Sequence, residues 1–319
     1  MTAPPAGGGP PGAPPPPAAW PALPLAPWRD AKDTLHLWTQ VVGKVRLALA
    51  PMVNHWWQVP LYVNARGLTT SAMPWRGGAV EIQFDFLDHA LVLATSAGGM
   101  RRVALEPRSV ASFYHETMAA LHALGLEVRI HTRPVELAEV IPFERDEVHG
   151  AYDGGAAQRF WRVLVQADRV LHRFRGAFLG KCSPVHFWWG SFDLSCTRFS
   201  GRPAPEHPGG IPNCPDYVTR EAYSHECISA GWWPGGGLVD EPAFYAYAYP
   251  EPAGCPTAAI RPVAGAYHLD LREWILPYEA VRTAAEPDAA LLAFLESTYD
   301  AGATLGGWDR EALERQPRA

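Results

Sequence analysis

The fold is decided by the stretch His55-Trp56-Trp57-Gln58-Val59-Pro60-Leu61-Tyr62-Val63-Asn64 and by a similar stretch, His186-Phe187-Trp188-Trp189-Gly190-Ser191-Phe192-Asp193-Leu194-Ser195. Each is predicted to form a strand. Each follows an amphipathic helical pattern with a Trp near its start, Trp38 in the first case and Trp161 in the second. Further strands and a second helix then follow in the same order both times. We interpret this recurrence as a tandem duplication.

The duplication predicts an α+β fold of two pseudo-symmetric halves, each with antiparallel strands between two helices. The halves are residues 20–150 and 151–319, and the connection between them is short enough for one fused domain. Helices are predicted at 33–50, 107–124, 157–179 and 287–305, and the periodicity is clearest at 157–179. Residues 1–19 are almost entirely Pro, Gly and Ala, which predicts a disordered tail.

The composition narrows the classes of partner and the location. The net charge is −6 and no dense Lys/Arg cluster occurs, so binding to nucleic acid is not expected. Every long apolar run is broken by charges or prolines, so no membrane-spanning segment is expected. The five cysteines contain no C-x-x-C pair, which favours reduced thiols in a cytoplasmic protein over a disulfide framework.

Six segments together resemble a known family. They are Trp38–Arg46, Asn54–Trp57, Ala65–Thr70, Phe160–Asp168, Ser183–Asp193 and Tyr223–Glu226. From Trp20 to Trp308 the chain resembles an uncharacterised bacterial family, domain of unknown function 5996. The resemblance carries no established activity, cofactor or catalytic residue.

Strand alternation divides the side chains of both stretches between two faces. The faces expected to pack against helices carry Trp57, Val59, Leu61 and Val63, and Trp188, Phe192 and Leu194. The opposite faces carry Trp56, Gln58, Tyr62, Asn64 and Arg66, and Phe187, Trp189, Ser191, Asp193 and Ser195. In the predicted strand 243–249, Tyr245 and Tyr247 alternate with Phe244 and Ala246 in the same way.

These mixed polar and aromatic faces have two interpretations. They form the solvent-exposed side of an antiparallel sheet, or they line a small-molecule pocket between the halves. Large aromatic rings are costly to leave in water, and a pocket needs apolar walls with a few orienting polar groups. The pocket is therefore favoured. The substrate-binding candidates are Trp56, Tyr62, Arg66, Trp189, Tyr245 and Tyr247.

Histidines and carboxylates supply the catalytic candidates. His225 and Glu226 have no counterpart in the first half, and a duplicated protein needs its active site only once. A His beside a carboxylate suits general base catalysis or metal binding, and Asp193 is a second candidate carboxylate. His55 and His186 open the two Trp stretches, which favours a shared structural role. A metal site using His55, His186 or His225 is a less favoured alternative.

The sequence thus favours a cytoplasmic enzyme, hydrolase-like or metal-assisted, that acts on a small organic molecule held between the two halves. A non-catalytic binding protein with the same pocket is one alternative. A structural or stress-related protein without a pocket is the other. The reaction, the cofactor and the oligomeric state stay unknown.

Overall fold

The computed structural model describes residues 19–315, and within them the fold is α+β as expected. Of the predicted tail, residues 1–18 lie outside the described part. The helices are α1 (Arg29–Leu49), α2 (Val110–Ala123), α3 (Gly154–Gly176), α4 (Asp216–Ala222), α5 (Tyr278–Arg282), α6 (Pro287–Leu305) and α7 (Arg310–Leu313). Within this range, none of the helices is long and apolar enough to cross a lipid bilayer.

Three of the long helices form where the sequence combines a periodic apolar face with a start signal. The Ser109 side chain caps α2, and the Asp153 side chain caps α3 by accepting a hydrogen bond from the Ala156 N–H at 2.9 Å. Pro287 occupies the first turn of α6, where its missing N–H costs nothing. The helices therefore begin within a few residues of their predicted positions.

Two antiparallel sheets of six strands each accompany these helices. The first contains β1 (Tyr62–Val63), β2 (Gly67–Thr69), β3 (Met73–Trp75), β4 (Gly78–Asp85), β5 (Ala90–Thr95) and β6 (Met100–Ala104). Its order is β1-β2-β4-β5-β6, and β3 also pairs with β4. The second contains β7 (His186–Trp188), β8 (Asp193–Pro203), β9 (His225–Trp233), β10 (Ala243–Tyr249), β11 (Ala266–His268) and β12 (Glu273–Pro277). Its order is β11-β12-β10-β9-β8-β7.

The two sheets meet edge to edge at Leu61 and Phe187. Leu61 lies just before β1 and Phe187 lies in β7, and their backbones exchange two hydrogen bonds of 2.9 Å each. Because β1 and β7 are the outer strands of their sheets, this bridge connects the two sheets directly.

A single hydrophobic core holds the helices against both sheets. In the first half, the Trp38 ring of α1 stacks on Phe113 of α2 with ring centroids 4.6 Å apart. In the second half, Phe160 of α3 stacks on Phe192 at 5.0 Å. All four rings are at most 1% exposed. Burying a side chain of this size contributes roughly 1.5–3 kcal/mol, so these stacks are major sources of stability.

The first Trp stretch is not a strand over most of its length, contrary to the sequence-based expectation. Asn54–Trp56 forms a tight turn instead, in which His55 and Trp56 adopt positive φ angles of 59° and 62°. A strand needs negative φ at successive residues. Backbone pairing in this stretch is confined to Tyr62–Val63, which pair with β2, and to the Leu61 bridge with Phe187. His55 thus lies in a turn and His186 in a strand, and the two are not structurally equivalent. The duplication itself stays a prediction.

In β7, the side chains that pack against the helices are on the opposite face from the one expected from the sequence. Phe187, not Trp188, faces the core, since it pairs with the buried Leu194 and contacts Phe160 with ring centroids 6.1 Å apart. A turn with Phe192 at a φ of 62° separates β7 from β8. Strand alternation therefore does not run through the whole stretch.

Candidate functional site

A cavity of about 800 Å³ opens on the face of the second sheet opposite to the helix-packed face. Asp193 of β8 and Tyr245 and Tyr247 of β10 line it, and Glu136 enters from the connection between the halves. Other lining residues include His207, Tyr223, Trp233, Tyr249, Glu251, Arg272 and Glu273. Small-molecule sites have volumes of about 300–1,000 Å³, so the cavity has a suitable size for an organic ligand.

Gly231 allows Tyr245 to reach Asp193 across the sheet. Tyr245 pairs with Gly231, and Gly231 pairs with Ser195 on the next strand. A Cβ atom at Gly231 would lie 2.7 Å from the Tyr245 hydroxyl oxygen, so the missing side chain leaves room for the phenol to cross β9. The Tyr245 hydroxyl donates a hydrogen bond to one Asp193 oxygen, and the Ser191 hydroxyl donates to the other.

Asp193 lies where a negative charge is poorly hydrated. The residue is 7% exposed, and burial raises its pKa to about 6, although the hydrogen bonds from Ser191 and Tyr245 oppose that rise. Burial and the Asp193 charge also raise the pKa of Tyr245 well above its ordinary value. The phenol therefore keeps its proton and acts as the donor.

Glu136 is placed in the cavity by helix α1 of the first half. The amide oxygen of the buried Gln40 accepts from the Val135 N–H at 2.8 Å, and its amide nitrogen donates to the Val135 carbonyl at 2.9 Å. On the other side, the Glu136 N–H donates to the Pro212 carbonyl at 2.8 Å. These bonds hold Glu136 at a positive φ of 61°, a conformation that is unfavourable for a residue with a side chain.

Gly190 leaves the space that the Glu136 carboxyl occupies. A Cβ atom at Gly190 would lie 2.0 Å from Oε1 of Glu136. Burial raises the pKa of Glu136 to about 7, with a contribution from the Asp193 charge, and no hydrogen bond from residues 19–315 opposes this rise. The side chain is nevertheless exposed towards the cavity. A bound molecule can reach the carboxyl, while the surrounding protein limits its hydration.

Glu273 of β12 is the third carboxyl in the cavity. It precedes the buried Trp274, so strand alternation directs Glu273 to the cavity face. Burial raises the pKa of Glu273 to about 7, and the Asp193 charge contributes. The cavity thus collects three carboxyl groups whose pKa values lie near neutral pH, where a side chain can both donate and accept protons.

Tyrosines and a histidine form another wall of the cavity. The Tyr223 and Tyr247 hydroxyls share a hydrogen bond of 2.6 Å, and His207 stacks on Tyr223 with ring centroids 4.8 Å apart. Nδ1 of His207 accepts from the Gly209 N–H at 3.0 Å, which leaves Nε2 to carry the proton of the neutral ring. Burial lowers the pKa of His207, so the neutral ring is favoured.

The structure brings three of the sequence-predicted site residues together. Asp193, Tyr245 and Tyr247 all line the cavity, and the alternation predicted for β10 holds, with Phe244 and Ala246 buried in the core. The cavity does not lie between the halves, however. Apart from Glu136, its lining comes from the second half.

His225 and Glu226 lie outside the cavity and on opposite faces of β9, because adjacent strand residues point in opposite directions. His225 lies beside His55, with ring centroids 5.7 Å apart, and His55 accepts a hydrogen bond from Lys181 at 2.6 Å. The Glu226 carboxylate accepts from Arg202 at 2.7 Å. The two residues therefore do not share one site.

The other substrate-binding candidates lie elsewhere. Trp189 is 6% exposed in the core, where its indole N–H donates to the Val59 carbonyl at 2.8 Å. Trp56, Tyr62 and Arg66 contact Tyr217, Arg46 and Asp85, respectively. None of these four candidates lines the cavity.

The candidate metal ligands are not gathered around one point. His186 is fully buried, and neither ring nitrogen has a hydrogen-bond partner in the described chain. Burial, followed by the charges of Arg46 and Arg175, lowers the pKa of His186 to about 3. In residues 19–315, no group of three or more His, Cys, Asp or Glu side chains has a geometry that could hold a metal ion. These histidines therefore do not form a metal site in this arrangement.

The sequence patterns do not identify Glu136, His207, Arg272 and Glu273 as site residues. One signal for part of the site was present in helix α1. His36, Gln40 and Lys44 recur every four residues beside the apolar face, and all three are at most 6% exposed. Buried polar side chains need hydrogen-bond partners, so such a stripe indicates that the helix holds other segments in place. Gln40 holds Val135 in this way, and His36 contacts the Gly190 carbonyl at 2.9 Å.

Comparisons with known proteins agree with the resemblance found in the sequence. The family of unknown function DUF5996 matches residues 20–315, nearly the whole described chain. No curated protein and no solved structure matches the chain. The chain belongs to the family of unknown function DUF5996.

Proposed function

We propose that the protein binds a small organic molecule in the cavity and carries out general acid–base chemistry on it. The observation that supports this proposal is the convergence of Glu136, Asp193 and Glu273 on one cavity of about 800 Å³. Groups with pKa values shifted towards neutral pH inside a cleft are typical of functional sites.

Glu136 is the proposed proton-transfer group. Its carboxyl is open to the cavity, and its pKa of about 7 keeps both protonation states populated near neutral pH. Asp193 is the proposed orienting group, because Ser191 and Tyr245 fix both of its oxygens. Tyr247 supplies an apolar wall beside them.

A non-catalytic binding protein is the second candidate. The two hydrogen bonds that fix Asp193 suit it equally well, since a carboxylate held by two donors can orient a bound molecule whether or not a proton is transferred. The two candidates share the cavity and differ only in whether Glu136 transfers a proton to or from the bound molecule.

The partner in this proposal is a small organic molecule rather than nucleic acid or a membrane. A lining rich in carboxyl groups would repel phosphate groups. We also propose a cytoplasmic location. It is supported by the five cysteines, which are all free and include Cys182 and Cys196 with Sγ atoms 3.5 Å apart.

A fragment screen on protein labelled with 3-fluorotyrosine tests the proposal. Fluorine NMR resonances of Tyr245 and Tyr247, assigned with Tyr→Phe variants, would shift when a fragment enters the cavity. Turnover of a bound molecule that is lost in Glu136→Gln, with binding retained, would support the enzyme. Binding without turnover would support the second candidate. If no fragment shifts these two resonances, both candidates fail.

A further inference from the structure

The charges that line the cavity are strongly unbalanced. Four carboxyl groups face it, those of Glu136, Asp193, Glu251 and Glu273, together with one guanidinium, that of Arg272. Arg272 already forms an ion pair with Glu251. Within the described part of the chain, the other three carboxyl groups have no cationic partner among the lining residues. When these groups are ionised, the cavity therefore concentrates negative charge that its lining residues do not compensate.

The same cavity is walled by aromatic rings. The Tyr245 and Tyr247 rings have centroids 6.1 Å apart and planes 13° apart, and Tyr223, Trp233 and Tyr249 extend the aromatic lining. The hydroxyls of Tyr245 and Tyr247 are engaged by Asp193 and Tyr223. These tyrosines therefore offer mainly their rings to a ligand, and the faces of aromatic rings attract cations.

We infer that the ligand of this cavity is an organic cation, either a protonated amine or a quaternary ammonium group with an apolar part. This inference rests on the proposed function and names its ligand class. The cationic group would lie against the uncompensated carboxyl groups, and the apolar part would pack on the tyrosine rings. Such a ligand supplies the positive charge that the lining lacks and uses both features of the cavity.

Other ligand classes fit these features less well. An organic anion would be repelled by the carboxyl groups. A bare metal ion would need a set of suitably placed ligands, and residues 19–315 provide no such set. A neutral polyol could stack on the rings and donate hydrogen bonds to the carboxylates, but it would leave their charges uncompensated. The polyol is therefore the closest competitor, and neutral probes must be part of the test.

Benzylamine, benzyl alcohol and benzoate form a matched series of probes that differ mainly in charge. At about pH 8 the amine is protonated and the carboxyl groups are ionised. We expect benzylamine to bind at least about tenfold more tightly than benzyl alcohol, a difference of about 1.4 kcal/mol. Benzoate should bind most weakly. Calorimetric titration gives the affinities, and the fluorine resonances of Tyr245 and Tyr247 show whether binding occurs in the cavity.

Glu136→Gln separates the effect of charge from that of shape. The amide has almost the same shape as the carboxylate but no charge, and no hydrogen bond from the described chain to Glu136 is lost. We expect benzylamine affinity to fall about tenfold, while benzyl alcohol affinity stays unchanged. Glu139→Gln is the matched control, because Glu139 lies in the same connection but outside the cavity lining. It should leave both affinities at the wild-type level.

The outcomes distinguish this inference from the function on which it rests. If benzyl alcohol or benzoate binds in the cavity as tightly as benzylamine, the ligand is not selected as a cation, and the small-molecule site stands. If benzylamine affinity is the same in Glu136→Gln and wild type, the cation inference also fails. If none of the three probes binds saturably or shifts the cavity tyrosines, both the inference and the proposed function are contradicted.

Discussion

Gly190 and Glu136 are in such close contact that a Cβ atom at position 190 would lie 2.0 Å from Oε1 of Glu136. In Gly190→Ala the flexible Glu136 side chain would have to move out of its niche. We expect a loss of stability below about 1 kcal/mol, because only a side-chain end must shift. We also expect the pKa of Glu136 to fall from about 7 towards its ordinary value of 4.5, since the displaced carboxyl is better hydrated. Carbon-13 NMR of carboxyl-labelled glutamate, titrated with pH, measures this change.

Gly176→Ala is the control for this substitution. Gly176 lies at the end of α3, and a Cβ atom there meets no neighbouring atom within 4 Å. The Glu136 titration should be the same in this variant as in the wild type. A Glu136 pKa that remains near 7 in Gly190→Ala would show that the niche beside Gly190 does not determine the ionisation of this carboxyl.

Gln40→Leu tests whether helix α1 positions the carboxyl. The substitution leaves both the N–H and the carbonyl of Val135 without the partner they have in the wild type. We expect a stability loss of about 1–3 kcal/mol, faster hydrogen exchange at the Val135 amide and a lower pKa of Glu136. Hydrogen exchange followed by NMR and urea denaturation measure these effects.

Lys44→Met provides the comparison for the Gln40 variant, because Lys44 donates to the Arg133 carbonyl at 2.7 Å and so holds the same connection two residues earlier. It should leave the Val135 amide protected. Equal exchange rates at Val135 in the Gln40 variant and the wild type would contradict a positioning role for Gln40.

Glu136→Gln should change how stability depends on pH. Folding raises the pKa of Glu136 from 4.5 to about 7, so the folded state holds this proton more tightly than the unfolded state. The resulting stabilisation is complete below about pH 4.5 and is lost as the pH rises through about 7. The unfolding free energy of Glu136→Gln relative to that of the wild type should therefore increase between about pH 4.5 and about pH 7, and this difference should stay constant at higher pH. Because Glu136 is open to the cavity, we expect the gain to be at most about 1 kcal/mol.

Urea denaturation at several pH values between about 4.5 and about 8 measures this difference, and Glu139→Gln again serves as the control. Its unfolding free energy should run parallel to that of the wild type. The unfolding free energy of Glu136→Gln minus that of the wild type has to increase with pH. A constant or decreasing difference would mean that folding does not raise the Glu136 pKa.

The sequence predicts regular strands well and the first Trp stretch poorly, for a physical reason. In β10, alternation separates Phe244 from Tyr245 because β9 pairs along the whole strand and β12 pairs with Ala243–Ala246. His55 and Trp56 instead adopt positive φ angles, which local propensity disfavours for such residues. The contact that accompanies this turn is distant in sequence: the His55 ring hydrogen-bonds to the Ala222 carbonyl at 2.9 Å.

The candidate site follows the same division between local and distant information. Tyr245, Tyr247 and Asp193 could be assigned from strand position and residue type. Glu136 could not be assigned, because its place depends on Gln40 and Gly190, which belong to segments far apart in the chain. No pattern within residues 131–150 distinguishes Glu136 from its exposed neighbours.

Tyr245→Phe tests the hydrogen bond to Asp193. Removing a donor from an ionised, buried carboxylate should cost about 1.5–3 kcal/mol of unfolding free energy. The pKa of Asp193 should also rise above its present value of about 6, since this bond opposes the rise caused by burial. The loss of stability should therefore be larger above about pH 6 than below it.

Tyr217→Phe, at an exposed tyrosine, is the control and should cost little unfolding free energy at either pH. A Tyr245→Phe effect that is independent of pH would contradict an ionised hydrogen-bond acceptor.

Trp189→Leu tests whether Trp189 stabilises the core or lines the cavity. The indole is 6% exposed, packs against Gly43 and donates to the Val59 carbonyl at 2.8 Å. We expect a loss of about 3–5 kcal/mol from the cavity created in the core and the unpaired carbonyl. Trp56→Leu removes a half-buried ring and should cost less than about half as much. Because Trp189 does not line the cavity, fragments that shift the Tyr245 and Tyr247 resonances in the wild type should still do so in folded Trp189→Leu protein. Loss of those shifts in the folded variant would instead place Trp189 in the binding site.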